Sequence, residues 1–267
     1  MKPRAITAHL GLAIQVGTQA DASFAHKQGQ PQRSAVMETS LHKALKLHYA
    51  PNEEATEVTV DGFRIDAISE SKELIEIQHA SLGALRDKTR KLLDGTRRKV
   101  RIVKPIIARK RLTTLDKKDG EVIRSRLSPK RGDLLDVFED LVHFSTVFPR
   151  RRLTLEIVAI EAEEIRLDKN TKRWRKKRYK CVDQKLVAVH DSIELKTIKD
   201  LLGMLPIEHL PTPFDTAELA AAMQRPRWFA QKVAYCLRQT GAAKLDGKRG
   251  NSQLYRLPRR RQTRKIA

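Results

Sequence analysis

Two short stretches decide the fold: Phe63-Arg64-Ile65-Asp66-Ala67 and, after a polar break, Leu74-Ile75-Glu76-Ile77-Gln78. Both alternate apolar and polar residues with a period of two, the pattern of a half-buried strand. In the second, alternation sets Glu76 and Gln78 on one face and Ile75 and Ile77 on the other. A further strand, Val58 to Val60, precedes them across Asp61-Gly62, a dipeptide that tolerates positive φ and so favours a tight hairpin. Upstream, Glu38 to Tyr49 places Leu41, Leu45 and His48 at helical spacing, with Ala44 widening the stripe. Downstream, Ser81 to Leu93 is predicted as a helix closed by Gly95, and Val100 to Ile107 as a buried strand ending near Pro105. The order is helix, three strands, helix, strand.

Beyond this block a hairpin is predicted around Asp119-Gly120, then a basic loop from Ser128 to Gly132 and an amphipathic helix from Asp133 to Phe144. Arg152 to Leu167 and Tyr179 to Val189 are predicted strands, and Ile193 to Leu205 a helix. Between the two strands, Lys169 to Lys180 holds eight basic residues in twelve, Arg173, Arg175, Lys176 and Lys177 among them, with Trp174 and Tyr179 interleaved. Such a run is either a solvated hairpin tip or an arm that touches phosphates. Three prolines between Pro206 and Pro213 set off a final module. There Asp215 and Glu218 form a capping pair for a short helix through Met223. Gln224-Arg225-Pro226 makes a turn, and a second helix, Arg227 to Thr240, stops at Gly241. Ala243 to Leu245 and Gln253 to Leu257 flank a loop from Asp246 to Asn251.

The 267 residues carry 54 Lys and Arg against 32 Asp and Glu, a net charge of +22 that calls for an anionic partner. No stretch approaches the roughly 18 apolar residues of a spanning helix, so a membrane partner is not expected. Cys181 and Cys236 are the only cysteines, too few for a disulfide framework, and a cytoplasmic location is expected. Residues 1–36, rich in Gln, Ser, Ala and Gly after a mildly apolar start, are expected to form a disordered arm, and Met37 offers an alternative start. An aromatic content of 5% disfavours a base-stacking single-strand binder. No zinc-spaced Cys and His cluster, G-x-S-x-G elbow or glycine-rich phosphate loop is present.

The block from residue 38 to 107 resembles the PD-(D/E)XK nuclease superfamily. That pattern has an Asp in the second strand and a Glu-x-Lys in the third, matched here by Asp66 and by Glu76 with Gln78. The resemblance implies Asp66 and Glu76 as ligands of Mg²⁺ or Mn²⁺, Gln78 as the residue positioning the nucleophile, and Glu38 as an auxiliary acid. Mg²⁺ asks only for one or two carboxylates, waters and substrate phosphates, and it stabilises charge building on a phosphodiester. Gln78 departs from the usual Lys and brings no charge; Arg86, Lys88 or Lys91 on the next helix can supply it. The bland alternative for Asp66 and Glu76 is a pair of surface acids on an exposed hairpin.

Residues 214 to 257 resemble a winged helix-turn-helix. Along its second helix Phe229, Val233, Cys236 and Leu237 share one face, and Arg227, Gln231, Ala234 and Arg238 the other. The resemblance implies that Arg227, Gln231 and Arg238 face base edges in the major groove, with Arg225 at the turn and Lys248 and Arg249 on the wing gripping phosphate.

The expected fold is α/β: a restriction-endonuclease-like mixed sheet core with flanking helices (37–110), a middle α+β extension (111–205), a winged-helix module (206–258) and a basic tail (259–267). The expected activity is metal-dependent hydrolysis of DNA, with double-stranded DNA as the expected binding partner and a homodimer left open. The rival from another class is a non-catalytic DNA-binding regulator on a degenerate nuclease-like platform. An RNA-associated role, resting on charge alone, is the third.

Overall fold

The computed structural model describes residues 38–168 and 179–258. The expected arm at 1–36, the basic residues Arg173, Arg175, Lys176 and Lys177, and the tail at 259–267 lie outside the described residues.

The elements of the opening block form in the expected order, although the helix expected over Ser81 to Leu93 is a 3-10 turn over Leu82–Leu85 followed by α-helix from Arg86. Helix α1 (Ser40–Tyr49) is capped by the Thr39 side chain, and β1 (Thr56–Val60) and β2 (Phe63–Ile68) turn at Asp61 and Gly62, both at positive φ. Strand β3 (Leu74–Ile77) follows antiparallel to β2, then α2 (Arg86–Gly95), then β4 (Val100–Leu115) parallel to β3. His48 is exposed, and the inner side of α1 is formed by Leu41 and Leu45, with Lys46 also buried and Tyr49 packed against the same cluster.

Strand β4 does not end near Pro105 but runs on to Leu115. Val103 gives its carbonyl to the Gln78 N–H at 2.9 Å. Two residues on, the missing N–H of Pro105 falls on that same side, past the end of β3, where no partner strand needs it. The far half of β4 instead pairs with β5 (Val122–Leu127), so β3 and β5 share one edge of β4 with a gap between them. Gly132 closes against that gap: its N–H donates to the Ile107 carbonyl at 3.0 Å, and an added Cβ would lie 2.6 Å from the same oxygen.

The other edge of β4 pairs along its length with β6 (Leu153–Asp168), also parallel, and β6 pairs antiparallel with β7 (Tyr179–Leu195). The sheet has seven strands, ordered β1-β2-β3-β4-β6-β7 with β5 beside β4, and is mixed. The helix expected from Ile193 starts later: Ile193 and Leu195 pair with Ile157 and Leu155, and α4 (Ile198–Gly203) begins after Thr197, which makes a capping box with Asp200. Ile193 and Leu195 keep period-two spacing and pair as strand, and helical spacing begins only with Ile198. The helix expected over Asp133 to Phe144 is a 3-10 turn followed by α3 (Val137–Leu141).

Side-chain alternation gives the sheet two apolar faces. Ala67, Ile75, Ile77, Val103, Val158 and Ile160 pack under Leu41 and Leu45 of α1. Leu74, Val100, Ile102, Leu155 and Ile157 face Leu92 and Leu93 of α2, Phe138 and Leu141 of α3, and the C-terminal helices. The fold is α/β, with helices on both faces of the sheet.

In the last segment α5 (Thr216–Met223) and α6 (Arg227–Gln239) precede a hairpin of β8 (Lys244–Arg249) and β9 (Ser252–Arg256), turned at Gly250-Asn251. Most of the residues expected as an open loop are therefore strand. The same apolar cluster that covers the sheet continues through Leu219, Phe229, Val233, Leu237 and Tyr255. The Asp215 carboxylate accepts from Ala217 N–H (2.8 Å) and Glu218 N–H (3.0 Å), and Glu218 returns a bond to Asp215 N–H (2.7 Å). Asp215→Ala is expected to lower stability by about 1 kcal/mol, read as a lower urea midpoint at unchanged m.

Candidate functional site

The β2–β3 ladder consists of Ala67 opposite Ile75 and Ile68 opposite Leu74. Continued one step it would set Asp66 opposite Glu76, but the strands part there. Into the split goes the Asp66 carboxylate, whose Oδ2 accepts the Ile77 N–H at 2.8 Å. From α1, His42 Nε2 lies 3.5 Å from Asp66 Oδ1 and 3.7 Å from Glu38 Oε1. Burial alone would raise the Asp66 pKa; the contacts with His42 and the Ile77 N–H outweigh it, and the group sits below its ordinary value.

Glu76 is 3% exposed, so it is no ordinary surface acid. Burial pushes its pKa up to about 7, opposed by Lys88 and helped by the negative charge of Asp66. Lys88 reaches in from α2 to place Nζ 2.5 Å from Glu76 Oε1, and it also donates to the Arg64 carbonyl. Of the three cations on that helix suggested as replacements for the missing lysine, Lys88 is the one at the carboxylate; Arg86 and Lys91 are exposed. Gln78 turns its amide to donate to the Ser81 carbonyl at 2.9 Å.

Glu38 is held by Lys46 at 2.5 Å and meets Asp66 only through His42. Among the described residues no group of three or more His, Cys, Asp or Glu side chains is arranged to hold a metal ion. The structure thus sets Asp66 beside His42 of α1 and Glu76 beside Lys88 of α2, with both acids at the split, Gln78 at the strand end and Glu38 linked to Asp66 through His42.

Two residues here carried no sequence signal. His79 follows Gln78 at the end of β3; its ring is 5.7 Å from that of His42, and its buried Nε2 has no hydrogen-bond partner among the described residues. Burial, with His42 and Lys104 nearby, lowers its pKa to about 4, so the imidazole is neutral. Lys104 is buried, donating to the carbonyls of His79 (2.9 Å) and Ala80 (2.8 Å) and pairing with Asp140 at 2.6 Å. Both border a cavity of about 470 Å³ in the gap between β3 and β5, which Lys110, Ser128 and Lys130 also line.

In the C-terminal segment the expected DNA-facing residues separate into two groups. Arg227 bonds Thr216 Oγ1 (3.3 Å) and Ser252 Oγ (3.1 Å), Arg249 bonds Glu218 (2.8 Å), and Arg225 lies 3.3 Å from Asp133 and 3.4 Å from Asp136. These three brace α5, α6, the hairpin and the turn before α3. Gln231, Arg238 and Lys248 are exposed. Ala234, expected on the outer face, is fully buried; Trp228 and Tyr235 stand outside instead, 51% and 37% exposed.

Among the described residues no helix is long and apolar enough to cross a membrane. No solved structure matches the chain significantly. An uncharacterized protein of Treponema pallidum (strain Nichols) is 31% identical over 219 residues, covering 82% of this chain and 85% of that protein. Residues 39–196, from α1 to the residue before the cap of α4, match the family model described as a domain of unknown function (DUF8091), and the chain belongs to that family.

Proposed function

We propose that the chain is a DNA-binding protein with a metal-dependent phosphodiesterase site of the PD-(D/E)XK type. The observation that carries this reading is the parting of β2 from β3, with Asp66 and Glu76 at the split and Lys88 on Glu76. Support from the fold comes from the order helix, three strands, helix, parallel strand, with α1 on one sheet face and α2 on the other.

Asp66 and Glu76 border one split in the sheet, Asp66 turned to His42 of α1 and Glu76 to Lys88 of α2, so a divalent ion shared by both would have to displace Lys88 from Glu76. Glu76 is held near half-ionised by burial and by Asp66, and a cation there would favour its charged form. Asp66 and Glu76 would hold Mg²⁺ or Mn²⁺, which supplies Lewis acidity to a phosphodiester and takes its remaining ligands from water and substrate oxygens. Lys88 offsets the negative charge that develops on the phosphate, the work for which Gln78 has no charge. Gln78 keeps its amide oxygen to orient a water. Glu38 acts at one remove, holding the His42 imidazole against Asp66.

The helices α5 and α6 with the β8–β9 hairpin serve, on this reading, as a winged helix that grips double-stranded DNA. Arg227 and Arg249 stiffen it, while Gln231, Arg238 and Lys248 meet the duplex. Replacing Gln231 and Arg238 together by Ala is expected to weaken duplex binding by about 1–3 kcal/mol and flatten its salt dependence by about one unit of slope. Fluorescence anisotropy across a salt series reads both, and an unchanged affinity rejects the contact.

The rival reading, a non-catalytic DNA-binding regulator, is favoured by the Lys88–Glu76 pair, which neutralises one of the two ligands. Incubating the full chain with supercoiled, linear, branched and single-stranded DNA in Mg²⁺ or Mn²⁺ separates the two. Cleavage supports the enzyme; saturable binding with every substrate uncut overturns it in favour of the regulator. Competition by structured RNA at matched salt tests the RNA alternative.

A further inference from the structure

A cleft of about 880 Å³ opens at the other end of the parallel strands, where β4 and β6 begin and β7 ends. Its lining includes seven Lys and Arg side chains and a single acid, Glu73. That acid is already used: Arg101 Nε lies 2.8 Å from Glu73 Oε2. Asp200, next to Lys199, is engaged in the cap of α4. Several of the cations are structural. Arg101 also pairs with Glu156 and Glu194, Arg150 with Asp94, Lys196 with Glu194, and Arg152 donates to the Leu93 and Thr96 carbonyls at the end of α2. Lys99, Arg151 and Lys199 differ. All three are exposed, and none makes an ion pair or side-chain hydrogen bond among the described residues.

Three exposed cations line one cleft, with Asp200, already used in the cap of α4, as the acid acting on Lys199, and an anion in the cleft can bridge them. Among the described residues the lining holds no aromatic side chain that would stack on a base. What the cleft can recognise is phosphate charge. From Lys99 to Val103, which bonds the strand end next to Glu76, is four residues of β4, roughly 13 Å, or about four base-pair steps of a duplex.

We propose that this cleft is a second phosphate-binding site, in which Lys99, Arg151 and Lys199 hold the backbone of the same nucleic acid that reaches the carboxylate site. The inference rests on the nucleic-acid reading above but not on catalysis. Three phosphate contacts fix the register of the substrate along the sheet and carry no sequence information.

The test compares the full chain with the triple variant Lys99→Gln, Arg151→Gln, Lys199→Gln, whose thermal midpoint should stay close to that of the parent because none of the three makes an ion pair or side-chain hydrogen bond among the described residues. A duplex of about 20 base pairs is titrated over a salt series, and tripolyphosphate is titrated in parallel. The expected result is a drop of about 3 in the slope of log K against log salt, with a matching loss of affinity at low salt. A variant that binds duplex with the parent's slope overturns the cleft while leaving the DNA reading intact. Loss of tripolyphosphate binding alone also overturns it, since the cleft would then serve a free polyphosphate. A parent chain that binds no DNA at all defeats both readings, an outcome distinct from either of these.

Discussion

Asp66→Asn and Glu76→Gln are each expected to lower metal-dependent DNA cleavage on the order of 10³-fold, with duplex affinity in EDTA unchanged or slightly improved. Each substitution keeps the shape of its side chain and removes the charge. The choice matters at residue 66, because the carboxylate also accepts the Ile77 N–H at the strand split. Asp66→Ala would orphan that donor and mix a folding defect into the rate, whereas Asn keeps an acceptor in place. Lys88→Met is expected to cost roughly 10²-fold, with partial recovery in Lys88→Arg, because the charge rather than the exact donor offsets the phosphate. Gel analysis of nicked and linear plasmid gives the rates. Variants that cut as fast as the parent would end the catalytic assignment of these residues.

The second large effect is on stability and follows from the burial of Glu76. Its folded-state pKa is pushed up to about 7, against 4.5 for the ordinary group. Between those values the folded chain keeps a proton that the unfolded chain has released, so stability falls as pH rises through this window and levels off above it. The size of the fall is about 3 kcal/mol, from roughly 1.4 kcal/mol for each unit of difference. In EDTA, urea unfolding of the parent at pH 5 and pH 8 should differ from that of Glu76→Gln by this amount, the variant lacking the fall. The groups facing Glu76, namely Asp66 and Lys88, are unchanged in that comparison. Adding Mg²⁺ at pH 8 should raise the parent's midpoint and leave the variant's in place, since the ion favours the ionised carboxylate. Equal pH profiles for the two proteins would remove the claim that Glu76 is strained by burial.

Stretches whose structure depends on neighbours in sequence were legible without coordinates. Asp61-Gly62 turns as expected, Asp215 and Glu218 cap a helix, and strict alternation puts Ile75 and Ile77 on the face under α1. Elsewhere a distant strand has the stronger claim. Ile193 and Leu195 open the stretch expected as a helix, but they stand two apart as strand residues do, and each has a ladder partner on β6; β4 continues past Pro105 because β6 pairs with it throughout. Ala234 was placed outside by counting along α6, but the contact with the rest of the core is wide enough to cover it.

The candidate site divides in the same way. The resemblance to the PD-(D/E)XK pattern singled out Asp66 and Glu76, and alternation placed Glu76 on its strand face, since the chemistry of a residue and its place on a pleat are local properties. That Glu76 is buried, that Lys88 rather than Arg86 or Lys91 reaches it, and that His42 joins Asp66 to Glu38 are settled by which backbones approach in space. The same holds for Arg227 and Arg249, exposed basic residues by sequence but turned to partners on the neighbouring helix and hairpin. A side chain's charge is written in the sequence; the partner that satisfies it lies far along the chain, and only the packed fold brings the two within reach.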